Sequence, residues 1–290
     1  MAENYDLGYE AKVIEYFDEK AQEYDLVEEQ VYWRLSDKLL WSVLDEQVLR
    51  KLPANFSFID AGGGTGRWTM KILQAYPHAQ ALIYDLSASM TEQARASAER
   101  FGVADRLQIC NGRLEDVGQA IAPGFDLIFN FHNVLGFVQD PQLVVGQLRG
   151  LLDDNGMLVS FVPNSYHAAF FNIMLGKLDE ARRALTANRS RFTDTMPDMH
   201  FFTPTAIANL YHEVGLAVER MTGFPNLIYP GYQETQLRGS TAVLQNVLGT
   251  QENFDAIYDM EYLAQMDDAI VARSNNIFIV GRKPADGVAD

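Results

Sequence analysis

Apolar residues recur every four positions through Val31, Leu35, Leu39 and Val43, one stripe along a helix spanning residues 30–50. Residues 10–25 read as a helix before it. From residue 56 the pattern changes. Short apolar runs at 56–60, 81–84, 107–110, 125–131 and 157–162 predict strands, and the stretches 66–76, 89–101 and 141–152 between them predict helices. A helix at 205–214 closes on Gly215, a residue suited to a left-handed cap, and strand 216–222 follows. The run Ile277-Phe278-Ile279-Val280 predicts a last strand, and residues 284–290 are expected to fray. Strands alternating with helices mean an α/β fold with a mostly parallel sheet covered on both faces.

Two long links interrupt this order. Residues 163–204 are rich in aromatic side chains and lie beyond the carboxyl ends of the strands, where open α/β sheets bind ligands. We read them as a substrate lid, with Tyr166, His167, Phe171 and His200 as its candidate contacts. The second link, 223–275, offers Tyr229 to complete the pocket.

At 290 residues and 48% apolar content the chain suits one well-buried domain with additions. No stretch approaches the roughly twenty consecutive apolar residues of a membrane span. The acidic N-terminus lacks the basic and apolar regions of a signal peptide, and one cysteine, Cys110, allows no disulfide framework. A cytoplasmic protein is expected. The formal charge is −16, and residues 1–50 carry thirteen acids against five bases. Such a surface opposes general attraction to phosphate backbones. One segment differs: residues 181–193 hold Arg182, Arg183, Arg189 and Arg191 and no acid, which reads as a solvated helix face and loop.

The candidate chemistry begins at Phe58-Ile59-Asp60-Ala61-Gly62-Gly63-Gly64-Thr65-Gly66. An apolar strand runs through an acid into a GxGxG turn, where a Cβ at Gly62, Gly64 or Gly66 would block a closely approaching ligand. Nineteen residues past Gly66, the next strand ends on Asp85, placed to accept both hydroxyls of a ribose. Strand, glycine turn, helix, strand and acid make a nucleoside-binding unit. A dinucleotide fingerprint would need glycine where Arg67 stands, and no P-loop pattern is present.

The compact GxGxG preceded by Asp60 resembles the S-adenosylmethionine-dependent methyltransferases of the Rossmann-like class. That resemblance implies a seven-stranded sheet with N-terminal helices and a lid insertion. It divides one domain into a helical cap (1–50), a cofactor-binding core (51–162), a lid (163–204) and a C-terminal part of the sheet with a second lid segment (205–283). The cofactor implied is S-adenosylmethionine. Gly62, Gly64 and Gly66 would pass beneath its methionine moiety, Asp60 would help to hold the ammonium, and Asp85 would take the ribose. Leu86, Met90, Leu114, Glu115 and Asn130 complete the expected contacts, Met90 against the adenine or else as a core residue. Where the family usually carries an aspartate for the adenine amino group this chain has Arg113, so that contact falls to the backbone, Glu115 or Asp116.

His132 follows strand 125–131 at the edge where sulfonium and acceptor should meet. It could be a general base, an orienting residue or a satisfied buried histidine. No metal is needed for methyl transfer, and no metal-ligand spacing occurs. The stretch from Tyr16 to Asp25 resembles the F-D-x-x-A-x-x-Y-D entry helix of many small-molecule methyltransferases, which gives Tyr24 the role of closing over the cofactor.

Asp60-Ala-Gly-Gly-Gly, Tyr84-Asp-Leu-Ser-Ala-Ser-Met90, His132-Asn-Val-Leu135 and the stretch from Asn164 to His167 resemble the bacterial tRNA 5-carboxymethoxyuridine methyltransferase group, which methylates a carboxylate on a wobble uridine. In that resemblance Arg34 falls near a cofactor-binding arginine of the N-terminal helix. The acidic surface and four dispersed arginines depart from a tRNA enzyme's continuous basic track. Natural-product methyltransferases share the same core with aromatic lids. We therefore expect a methyltransferase acting on a small-molecule hydroxyl, carboxylate or amine, with tRNA as the alternative partner and a non-catalytic adenosylmethionine-binding protein as the third reading. No membrane partner is expected.

Overall fold

The computed structural model describes residues 6–285, so residues 286–290 of the expected frayed tail lie outside it. In chain order, helices α1 (Leu7–Asp18) and α2 (Val31–Gln47) precede β1 (Ser57–Ala61), α3 (Arg67–Ala75), β2 (Gln80–Asp85), α4 (Ala88–Phe101) and β3 (Leu107–Asn111). Then come α5 (Val117–Ala120), β4 (Phe125–Asn130), α6 (Val134–Phe137), α7 (Pro141–Leu151) and β5 (Leu152–Pro163). Helices α8 (Ser165–Met174) and α9 (Leu178–Thr186) are followed by a two-stranded ribbon of β6 (Arg189–Ser190) and β7 (Met199–His200). The chain closes with α10 (Pro204–Glu213), β8 (Ala217–Phe224), α11 (Ala242–Leu248), α12 (Gln251–Ala264) and β9 (Asn276–Arg282).

The main sheet has seven strands in the order β3-β2-β1-β4-β5-β9-β8. The first five are parallel, and β9 runs antiparallel to both β5 and β8. Alternate residues feed two cores, as the pleat requires. Phe58, Phe129, Phe161 and Phe278 face a layer that includes Leu35, Leu39 and Val43 of α2. Ile59, Ile128, Leu158 and Ile279 face Val144 and Leu148 of α7 and Ile207 and Tyr211 of α10. Because β1 and β4 are neighbours whose helices leave toward different layers, a crevice opens at their carboxyl ends.

Local chemistry starts the helices. Ser87 caps α4 by accepting from the Met90 N–H at 3.1 Å, and Asp140 caps α7 at Leu143 with Pro141 as its first residue. Gly102 ends α4 in the left-handed region, φ 67°.

Three expectations change. The first helix stops at Asp18 instead of reaching residue 25, and a 3-10 turn covers Tyr24–Glu29. Long-range hydrogen bonds explain the break: Asp18 accepts from the Ser87 and Ser89 hydroxyls, and Asp25 from the Thr65 hydroxyl at 2.7 Å. These pull the segment onto the turns after β1 and β2. The stretch 163–204 holds two helices, α8 and α9, and a short ribbon. Asn164 caps α8, and its amide also donates to the Ser274 carbonyl at 2.8 Å, fixing α8 to the base of β9. The link 223–275 folds into α11 and α12, which pack on α2. Among the described residues no helix is long and apolar enough to cross a membrane.

Candidate functional site

The crevice beyond β1, β2 and β4 measures about 1060 Å³, counting the part open to solvent. Its floor is the turn at residues 62–66. Gly62, Gly64 and Gly66 all adopt positive φ, at 77°, 53° and 74°. Their surroundings differ. A Cβ on Gly62 would fall 2.5 Å from Val134 Cγ1, whereas a Cβ on Gly64 would meet no protein atom within 4 Å. Gly62 therefore serves packing against α6, and only Gly64 keeps open a space that a side chain would fill.

Asp85 bridges two turns. One carboxylate oxygen accepts from the Gly64 N–H at 2.8 Å and the other from the Ser87 N–H at 2.8 Å. An ionised carboxylate has about four acceptor sites, so each oxygen keeps capacity for a further donor such as a ribose hydroxyl. Asp60 accepts from the Thr69 hydroxyl at 2.7 Å. Burial, with the nearby Asp85 adding to it, pushes its carboxyl up to about 7. Burial also raises Asp85 above the usual carboxylate range. A buried acid and a half-buried one facing one cleft make a field that favours a cationic ligand. A nucleoside carrying a sulfonium and an ammonium fits both the open floor at Gly64 and this charge.

Leu86, Met90, Leu114 and Glu115 line the part of the crevice beside β2 and β3, with Met90 at 2% exposure. Glu115 accepts from the Gln139 N–H at 2.9 Å, and Arg113 pairs with Asp116 at 3.3 Å and Glu10 at 3.6 Å. Phe17, near the end of α1, and Tyr24, in the turn after its break, cover the opposite wall.

His132 and Asn133 follow β4 as consecutive non-glycine residues in the left-handed region, φ 52° and 72°. Such strain clusters where geometry is dictated by function. It aims the imidazole at α3. His132 Nε2 lies 2.7 Å from Trp68 Nε1 and 3.2 Å from Arg67 Nη2. Both neighbours can only donate, so Nε2 is the acceptor and the ring proton belongs on Nδ1. Burial and the Arg67 charge push the imidazole down to about 4, against the opposing pull of Asp37. Arg67 itself is paired with Asp37 and, at 3.3 Å, with Glu28.

A second cavity adjoins the crevice. Phe17, Tyr24, Arg67, His132 and Phe137 border both. Its roof is the segment 234–238, suspended from α2. The Gln30 amide donates to the Gln236 and Leu237 carbonyls at 2.6 and 2.8 Å, and the Trp33 indole donates to the Glu234 carbonyl at 2.8 Å. Thr193, Thr195 and Met196 close one side.

Several expected residues are placed outside the two cavities. Tyr166, His167, Phe171, His200 and Tyr229 line neither cavity. His167, Phe171 and Tyr229 do assemble, but as packing under α8: the rings of His167 and Tyr229 are 5.0 Å apart, and the Tyr229 hydroxyl donates to main-chain carbonyls. Tyr166 is exposed and His200 pairs with Arg189. Arg34 lies outside the crevice, its guanidinium over the Phe254 ring. Asn130 is fully buried beneath the crevice floor without lining it. The acceptor-side residues that sequence reasoning missed are Lys20, Trp33, Asp37, Arg67 and 234–238. Trp33, Asp37 and Arg67 come from helix faces and 234–238 from a link with no motif, whereas Lys20 sits inside the Tyr16–Asp25 stretch at a position its motif leaves open.

The sequence matches the family described as a methyltransferase domain over residues 59–158. It is 30% identical over 190 residues to the tRNA 5-carboxymethoxyuridine methyltransferase of Escherichia coli O157:H7, an alignment covering 66% of this chain and 70% of that protein. It is 26% identical to the trans-aconitate 2-methyltransferase of Deinococcus radiodurans, covering 76% of each. The fold superposes on an S-adenosylmethionine-dependent methyltransferase from Mesorhizobium loti with a TM-score of 0.55 at 17% identity, covering 86% of this chain and all of that one (100%).

Proposed function

We propose that this chain, which belongs to the S-adenosylmethionine-dependent methyltransferases of the Rossmann-like class, methylates a carboxylate of a small molecule. Bound over Gly64, the cofactor supplies a methyl group on a positive sulfur: the acceptor's oxygen–carbon bond forms as the carbon–sulfur bond breaks, and the electron pair stays on sulfur. Asp85 and Asp60 are the groups we assign to the ribose and the ammonium. Phe17, Tyr24 and Phe137 exclude water where the two cavities meet.

The observation that carries the carboxylate is how the histidine and the acids lining the acceptor cavity are engaged by protein groups, while Lys20 offers that cavity an ammonium. His132 offers its lone pair to Trp68 and Arg67. One oxygen of Asp37 is held by Arg67 and the other lies 3.5 Å from His132 Nε2, Glu23 is paired with Arg238, and Glu234 accepts from the Gly231 and Thr241 N–H groups. A hydroxyl or an ammonium must lose a proton to attack, whereas a carboxylate is already a nucleophile at neutral pH. Carboxylate-bearing names recur among the relatives, in carboxymethoxyuridine and trans-aconitate, which supports the same reading.

A tRNA substrate is the second reading, favoured by the relatives from Escherichia coli. The arginines of the 181–193 run weigh against it. Arg182 pairs with Asp179, Arg183 with Glu180 and Asp198, Arg191 with Glu180, and Arg189 faces His200. Three of the four are thus matched by acids, in a chain of formal net charge −16.

The test uses adenosylmethionine labelled in its methyl group and a cell extract split into small-molecule and RNA fractions. Methyl esters release methanol in mild alkali. Alkali-labile label in the small-molecule fraction is expected. Alkali-stable label would reject the carboxylate, and labile label confined to RNA would select the second reading.

A further inference from the structure

The acceptor cavity holds cations whose commitments differ. Arg67 is paired with Asp37 and Glu28, and Arg238 with Glu23 at 2.7 Å. Lys20 is the exception: among the described residues no carboxylate lies within ion-pair distance of it. Its ammonium rests 3.5 Å above the centre of the Tyr16 ring and donates to the Tyr16 carbonyl at 3.2 Å. That leaves two of its three donors without a protein acceptor. The Tyr16 ring in turn stacks on Phe137 at 6.2 Å, and Phe137 borders both cavities. Partial burial already disfavours the charge on Lys20, with Glu19 a weak opposing influence. An unpaired, partly desolvated ammonium facing a ligand cavity gains from an anion brought by that ligand.

We infer that Lys20 is a specificity-determining residue that receives a second carboxylate of the acceptor, making the substrate a small dicarboxylic acid methylated at its other end. The inference rests on the carboxylate reading above. The group on Lys20 is not the attacking one, for two reasons. An oxygen paired with an ammonium is a weaker nucleophile, and the attacking carboxylate already meets the positive sulfur. The aromatic walls of Tyr16, Phe17 and Trp33 suit the hydrocarbon between the two acids.

The experiment uses the full chain with adenosylmethionine and a series of aliphatic dicarboxylic acids from succinate to suberate, each beside the monocarboxylic acid of equal length. Methyl ester is read by mass spectrometry. The best dicarboxylate is expected to show a KM about 10–100-fold below its monocarboxylate partner, the worth of a hydrogen-bonded ion pair. Lys20→Met should raise the dicarboxylate KM by about that factor, leaving kcat, the monocarboxylate KM and the cofactor Kd little changed, and Lys20→Arg should restore most of the loss. Equal KM values for mono- and dicarboxylates, or a Lys20→Met effect shared by both, would overturn the inference and leave the carboxylate reading standing. No ester from any acid would overturn both.

Discussion

The indole N–H of Trp68 donates to Nε2 of His132 across 2.7 Å, and this one bond decides what the histidine can do. A base must present its lone pair to the substrate. Here the lone pair belongs to α3, so His132 is placed to shape the wall shared by the two cavities.

The pH dependence of turnover follows. With both substrates saturating, kcat should stay level between about pH 6 and 8, because the His132 imidazole is already neutral there, its pKa pushed down to about 4. His132→Ala should lower kcat by less than the roughly 10²–10⁴ that loss of a general base costs. An ionisation near pH 6.5 that vanishes in this variant would restore the base.

The two glycines make a paired prediction. Gly64→Ala keeps a left-handed residue at a cost of about 1–2 kcal/mol, meets no protein atom, and should chiefly weaken cofactor binding. Gly62→Ala adds the clash with Val134 and should cost about 1–3 kcal/mol more in stability. Calorimetry and thermal unfolding of both variants separate the effects. Equal loss of stability with intact binding in Gly64→Ala would remove the cofactor from that floor.

Asp60 should couple cofactor binding to protons. Its carboxyl is raised to about 7 in the free protein, so below that pH the group is largely protonated and must release a proton to hold an ammonium. Affinity should fall as pH drops through about 7, by at most tenfold per unit, and Asp60→Asn should flatten the profile. The sign for the free protein is opposite. The raised pKa stabilises the fold fully below the ordinary value of 3.8, and that contribution is lost as pH rises through about 7. Calorimetry in buffers of different ionisation enthalpy reads the proton directly.

The paired arginines predict weak contact with nucleic acid. At about 0.1 M salt the chain should pass through heparin and fail to shift bulk tRNA. Tight binding that weakens steeply with salt would favour the RNA substrate.

Much of the cofactor side was legible before any coordinates. Asp60, Gly64 and Asp85 announce themselves because a close backbone approach and a strand-end acid need particular residue types at particular spacings. The acceptor side was not. It is built where α1 breaks at Asp18, and that break depends on Ser87 and Ser89, some seventy residues away. Aromatic content pointed to 163–204 as a lid, yet His167 and Phe171 use their rings to pack α8 on its neighbours. Apolar rings satisfy a core and a ligand alike, so their number alone cannot tell the two apart. The position of Arg34 was hidden for a related reason. Its place on α2 is set by helix phase, which turns it toward Phe254.

The roof over the acceptor is gripped by its peptide groups. Gln30 and Trp33 hold the carbonyls of residues 234, 236 and 237 and touch none of those side chains through these bonds. Thr235, Gln236 and Leu237 can therefore be exchanged without untying the ceiling. A lineage, or an engineer, can reshape this cavity by substitutions at adjacent codons, leaving the glycine floor of the neighbouring crevice untouched.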